Sequence, residues 1–93
     1  MHVAVVHRIN DPQAFLSRGD GLADPSNAPQ GVVPRQFCPS KDLSAATCVW
    51  EGGSVDSVRD YIDSTLGDSS ENTYFEINTE YALGLPEPAT THA

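Results

Sequence analysis

The sequence predicts an α+β fold of one domain, with elements in the order strand, helix, strand, strand, helix, strand. Three observations predict it. The first is residues 45–66, AATCVWEGGSVDSVRDYIDSTL, which read as a short strand, a Gly-Gly break and one amphipathic helix. The second is an opening strand, HVAVVHRI, that is β-branched and apolar on both faces, as expected of a central strand covered twice. The third is a chain of 93 residues, which is room for one domain and a modest core.

Each element has its own signal. In the first strand Val3, Val5, His7 and Ile9 share one face and Ala4 and Val6 the other. Asn10-Asp11-Pro12 supplies a capping side chain and a first-turn proline, which predicts a helix over 13–18. That helix buries Ala14, Phe15 and Leu16, and Gly19-Asp20-Gly21 ends it. Residues 22–31, rich in Asp, Pro, Ser, Asn and Gly, read as a long loop. The second strand, 32–39, contains Pro34, which cannot donate to a ladder and marks an edge. A turn over 40–44, centred on Asp42, makes a hairpin with the third strand at 45–51.

Ser54 caps the second helix, Asp56 suits its positive end and Gly67 follows its last turn. Val55, Val58, Tyr61, Ile62 and Leu66 recur every three or four residues, forming one buried stripe. Asp68 to Asn72 reads as a polar connection. The fourth strand, 73–78, alternates Phe75 and Ile77 against Tyr74 and Glu76. A helical turn is expected within 79–85, which closes the domain at residue 85, and 86–93 is expected to be a flexible tail.

Right-handed crossovers place strands one and three in the centre. The resulting architecture is a ferredoxin-like βαββαβ sandwich, an antiparallel four-stranded sheet of order 4-1-3-2 with both helices on one face. The other face keeps apolar residues, and two copies packed sheet to sheet would bury them in a dimeric α+β barrel. The expected partner is therefore a second copy of the chain.

The net charge of −8, from 13 acidic and 5 basic residues, argues against nucleic acid and anionic membrane surfaces as partners. No segment approaches the roughly 20 apolar residues of a membrane span. No signal-peptide pattern opens the chain, so a cytoplasmic location with reduced thiols is expected. Two cysteines, Cys38 and Cys48, are too few for a disulfide framework.

The segment CVWEGGSVDSVRDY resembles the strand–helix signature of the dimeric α+β barrel superfamily. That superfamily includes antibiotic-biosynthesis monooxygenases and small stress-response barrels, and one branch binds nickel. Trp50, Glu51, Ser54 and Val58 occupy the pattern. The resemblance covers 45–66 by motif and 1–80 by element order. It implies a cavity for a flat aromatic substrate, shaped by the tryptophan on this strand. A His found later in the second helix of many monooxygenase-type members has no counterpart here.

His7, with an ordinary pKa close to neutrality, is the candidate for acid–base work, against a structural histidine held by a hydrogen bond. Trp50, Tyr74 and Cys48 are candidate ligand-binding residues, with Trp50 weighed against simple core packing. A turn centred on Asp42 would put Cys38 and Cys48 diagonally on one face. That placement would permit metal ligation with His7, if the three converge, or a strained disulfide, and two buried thiols are the plainer reading. His2 and His92 are expected to be exposed bystanders and Arg35 to form a surface ion pair. No GxGxxG or GxxxxGK[ST] loop is present, and no cofactor is expected.

The leading functional reading is a binding protein with a small molecule between sheet and helices. A cofactor-independent oxygenase or isomerase for an aromatic or polyketide-like compound is the enzyme alternative. A nickel- or zinc-binding barrel is the metal alternative. Nothing in the sequence decides whether the protein is an enzyme.

Overall fold

The computed structural model describes residues 1–85; the tail expected at 86–93, and His92 within it, lie outside the described residues. Four strands, β1 (His2–Ile9), β2 (Val33–Pro39), β3 (Ala45–Glu51) and β4 (Ser70–Glu76), form one sheet of order β2-β3-β1-β4. All three pairings are antiparallel. Helices α1 (Pro12–Ala23) and α2 (Val55–Leu66) follow β1 and β3. The order is the one expected from the sequence.

Alternation fixes the two faces of the sheet. Val3, Val5, His7 and Ile9 of β1 are buried, together with Ala46, Cys48 and Trp50 of β3. They meet Phe15 and Leu22 of α1 and Val58, Tyr61, Ile62 and Leu66 of α2 in a single core. The opposite face carries Val6 and Phe75, 45% and 53% exposed.

The second helix matches its expected limits. The Ser54 hydroxyl accepts from the Ser57 N–H at 3.0 Å, and the Gly67 N–H closes the helix on the Asp63 carbonyl at a φ of 54°. The first helix is longer than expected. It starts on Asp11, whose carboxylate accepts from the Ala14 N–H, but runs through Gly19 and Gly21 to Ala23. Each helical glycine costs about 1 kcal/mol relative to alanine. The burial of Leu22 and a 3.4 Å bond from the Tyr61 hydroxyl to the Gly21 carbonyl offset that cost. The expected loop at 22–31 therefore shrinks and contains a short 3-10 turn, Pro25–Asn27.

Strand β4 also starts earlier than expected, at Ser70 rather than residue 73. The polar residues before Thr73 are structural. Ser69 donates to the Leu66 carbonyl at 2.6 Å, and its own carbonyl accepts from the N–H groups of Asn10 and Asp11. Beyond β4, the Asn78 carbonyl accepts from the N–H groups of Tyr81 and Ala82, which makes the helical turn expected there.

The β2–β3 hairpin corrects one expectation that matters for chemistry. Ser40 and Ala45 close the turn, with the Ser40 N–H on the Ala45 carbonyl at 2.8 Å and Leu43 at a φ of 59°. The turn is thus centred between Asp42 and Leu43, half a residue from the expected point. Cys38 pairs with Thr47, and Phe37 pairs with Cys48. A shift of this size moves a side chain to the other face, so Cys38 and Cys48 lie on opposite sides of the sheet. A bulge between Pro34 and Gln36 then restores the register at Pro34 and Trp50.

Gly52 joins β3 to α2 where a Cβ would stand 2.7 Å from Cγ2 of Val58, a fully buried residue. Val58 is stiff at χ1 and has no space to retreat. Gly52→Ala is therefore expected to lose about 1–3 kcal/mol of stability, read as a lower urea midpoint, while Gly53→Ala, whose Cβ meets nothing within 4 Å, should change it far less. Equal midpoints for the two variants would contradict this packing.

Candidate functional site

The helices cover the sheet unequally. Helix α2 packs on β4 and on α1, whereas α1 packs only weakly on the edge strand β2. A cavity of about 390 Å³ lies in the gap, and His7, Phe15, Phe37, Cys48 and Trp50 are among the residues lining it. The unexpected length of α1 builds part of its wall through Gly19, Asp20, Leu22 and Ala23. Phe15 spans the site, edge-on to His7 at 5.2 Å between ring centroids and tilted against Phe37 at 6.2 Å.

Three of the four residues singled out from the sequence meet here. His7 is 1% exposed and Trp50 3% exposed, and both line the cavity with Cys48. Tyr74 does not line it. Its hydroxyl donates to Asp63 at 2.5 Å on the α2 side of the sheet, beneath the Arg59 guanidinium at 5.8 Å from its ring. Burial first, and the Asp63 carboxylate second, push the Tyr74 phenol up, which keeps it a donor at all ordinary pH.

A chain of hydrogen bonds runs from that carboxylate into the cavity. Asn72 Nδ2 donates to Asp63 at 2.9 Å. Asn72 Oδ1 lies 2.6 Å from His7 Nδ1 and also accepts from the Ser70 hydroxyl at 2.8 Å. His7 Nε2 lies 3.0 Å from Cys48 Sγ. A carboxylate only accepts, so Asn72 turns its NH₂ toward Asp63 and its oxygen toward His7. His7 must then carry its proton on Nδ1 and present the Nε2 lone pair to the Cys48 thiol. The network joins α2, β4, β1 and β3 and fixes one tautomer.

Both members of the thiol–imidazole pair are neutral. Burial holds His7 below its ordinary value of 6.5, against the opposing pull of the Asn72 bond and the Asp63 charge. Burial likewise pushes the Cys48 thiol up to about 12, with the Trp50 N–H favouring the thiolate more weakly. Trp50 Nε1 is buried and meets no acceptor at hydrogen-bond geometry. A buried donor without a partner is uncommon and costs about 1–3 kcal/mol.

The other sequence candidates fall elsewhere. Cys38 is exposed on the far face, and both cysteines are free thiols. Among the described residues no three His, Cys, Asp or Glu side chains converge as metal ligands. The His7–Cys48 pair therefore has no third ligand of that kind. His2, expected to be a bystander, has Nε2 3.4 Å from Glu51, and Arg35 Nε donates to the same carboxylate oxygen at 3.0 Å. Asn72 escaped the sequence reading because it fell in the polar connection expected over 68–72, whereas it lies within β4. Asp63 escaped because an acidic residue on an acidic helix looks like solvated surface. No helix among the described residues is long and apolar enough to cross a membrane. No protein-family model, curated protein or solved structure matches the chain.

The neutral burial of His7 has a sign that can be measured. The unfolded chain protonates His7 near 6.5, while the folded chain does so only at lower pH. Between those values the unfolded state binds more protons, so stability falls as pH drops, by at most about 1.4 kcal/mol per pH unit. The titratable groups in the His7 network are Cys48 and, through Asn72, Asp63. The urea midpoint is expected to fall between pH 7 and 5.5, and the His7 ring resonances to titrate below 6.5. A His7 that titrates at or above 6.5 would overturn the description.

Proposed function

We propose that this protein binds a small, flat, largely apolar molecule in the cavity between α1 and the β2–β3 half of the sheet. The observation that carries the reading is the cavity itself. Its volume of about 390 Å³ lies within the range of roughly 300–1,000 Å³ typical of ligand pockets. Aromatic walls from Phe15, Phe37 and Trp50 surround a few polar atoms, the usual composition of such a site.

The fold in this reading is ferredoxin-like, and the working form is a homodimer closed through the open sheet face as a dimeric α+β barrel. That face has an apolar middle, Ala4 and Val6 beside Val49 and Phe75, in register across three strands. Charged groups sit at its ends, Arg8 with Glu71 at 3.7 Å and Arg35 with Glu51 at 3.0 Å. An apolar centre with a polar rim suits a two-fold interface.

The oxygenase or isomerase alternative needs a base that can reach the ligand. His7 has both nitrogens engaged, by Asn72 and Cys48, so its route to a ligand runs through the thiol. The nickel or zinc alternative has no supporting ligand cluster among the described residues.

Trp50 is the only tryptophan and reports directly on the cavity. Naphthalene-sized aromatic probes are expected to shift or quench its emission saturably, and Phe15→Ala to weaken the effect. Absence of any saturable response across such probes would count against the pocket. Trp50→Ala should also cost about 3–5 kcal/mol, as large aromatic truncations do. Light scattering at micromolar concentration should return twice the 10.0 kDa chain mass, reduced to one chain by Phe75→Glu; a wild-type mass of one chain would sink the dimer.

A further inference from the structure

We infer that Cys48 is a nucleophile for acyl transfer, with His7 as its general base and Asn72 as the positioning residue, acting on an ester or thioester of an apolar acid. The inference rests on the cavity being a ligand site and assigns that site a reaction. Four features carry it. The Cys48 thiol and the His7 Nε2 lone pair are 3.0 Å apart, within proton-transfer reach. The base is oriented by a third group, Asn72 at 2.6 Å, as activated nucleophiles require. Both reacting groups line an apolar cavity of about 390 Å³. Trp50 Nε1–H, buried beside Cys48 and without a partner at hydrogen-bond geometry, is placed to serve the carbonyl oxygen once the sulfur bonds the acyl carbon.

The step balances without any group beyond substrate and water. Cys48 Sγ forms a bond to the acyl carbon as its proton passes to His7 Nε2. The carbonyl π pair moves onto oxygen, where the Trp50 N–H meets it. The intermediate collapses, the bond to the leaving oxygen or sulfur breaks, and His7 returns the proton to that atom. Water, deprotonated by His7, then cleaves the Cys48 thioester and releases the acid and the free thiol. The proton moves only as the S–C bond forms, because the resting pair is neutral. Cys48 and, through Asn72, Asp63 are the titratable groups of the His7 network, with Tyr74 bonded to Asp63; Asp20 of α1 stands on the cavity wall, and the Arg35 guanidinium is engaged by Glu51.

The test uses the full chain with Cys38→Ser, which removes the exposed thiol on the other face. The probes are 4-nitrophenyl hexanoate and its unreactive analogue 4-nitrophenyl hexyl ether. The ester is expected to release a burst of one equivalent of nitrophenolate and to leave a hexanoyl group that peptide mapping places on Cys48. The acylation rate should be flat above pH 6.5 with an acidic limb below it. A simple thiol instead gains about tenfold per pH unit up to roughly 8.5. His7→Gln should slow acylation by about 10²-fold or more. Asn72→Ala should lower the plateau and move the limb to lower pH, since the Asn72 bond raises the His7 value, a shift that loss of packing alone would not produce.

Saturable quenching by the ether without an adduct from the ester would overturn the inference and leave the binding site standing. Neither quenching nor adduct would overturn both. An adduct on Cys48 whose rate follows a free thiol, or is unchanged in His7→Gln, would remove the base and with it the assignment. The pH profile is read with His7 in place, so the outcome does not depend on the folding of the His7 variant.

Discussion

The structure turns on one buried polar residue in an apolar strand. His7 sits in the middle of β1, in the central pair of the sheet, on the face that otherwise buries Val3, Val5 and Ile9. An imidazole in that position must have both nitrogens satisfied or lose several kcal/mol, roughly 1–3 for each orphaned group. Asn72 satisfies one and Cys48 the other. Asn72 can do so only because Asp63 and Ser70 complete its own hydrogen bonds. Four elements are thereby held in one arrangement by a network whose members all depend on each other. Such networks specify a unique packing when complete.

That requirement also explains features of the core that look wasteful. β4 begins at Ser70 so that Asn72 faces inward opposite His7. Cys48 fills a buried core position as a small apolar side chain and still supplies a donor to His7 Nε2. The cost is a thiol–imidazole pair in which burial displaces both members toward their neutral forms. A dry, neutral pair of this kind leaves the thiol unreactive toward solvent.

The cavity has a different origin, in the geometry of the edge. β2 is bulged at Arg35 and five of its seven residues are exposed, so α1 covers little of it. Phe15 and Phe37 bridge the gap without filling it. The C-terminal half of α1 runs past this opening, with Gly19, Asp20, Leu22 and Ala23 on the cavity wall. Packing failure at the edge and polar satisfaction at the centre meet at Cys48, which belongs to both.

The sequence by itself determined the element order, the strand order and the buried stripe of α2, because periodicity and glycine or proline punctuation are local signals. It also marked His7, Cys48 and Trp50, the residues whose types stand out against their elements. Only the tertiary structure decided what those residues do. The β2–β3 turn is centred half a residue from where its composition suggests, and that alone separates Cys38 from Cys48. The pairing of His7 with Asn72 links positions 65 residues apart, and no local pattern encodes it. The cavity depends on how far α1 extends past Gly19, a balance of about 1 kcal/mol per glycine against the burial of Leu22 that only the assembled core can settle. Local propensity writes the elements; register and long-range burial write the site, because they depend on contacts that exist only once the chain has closed on itself.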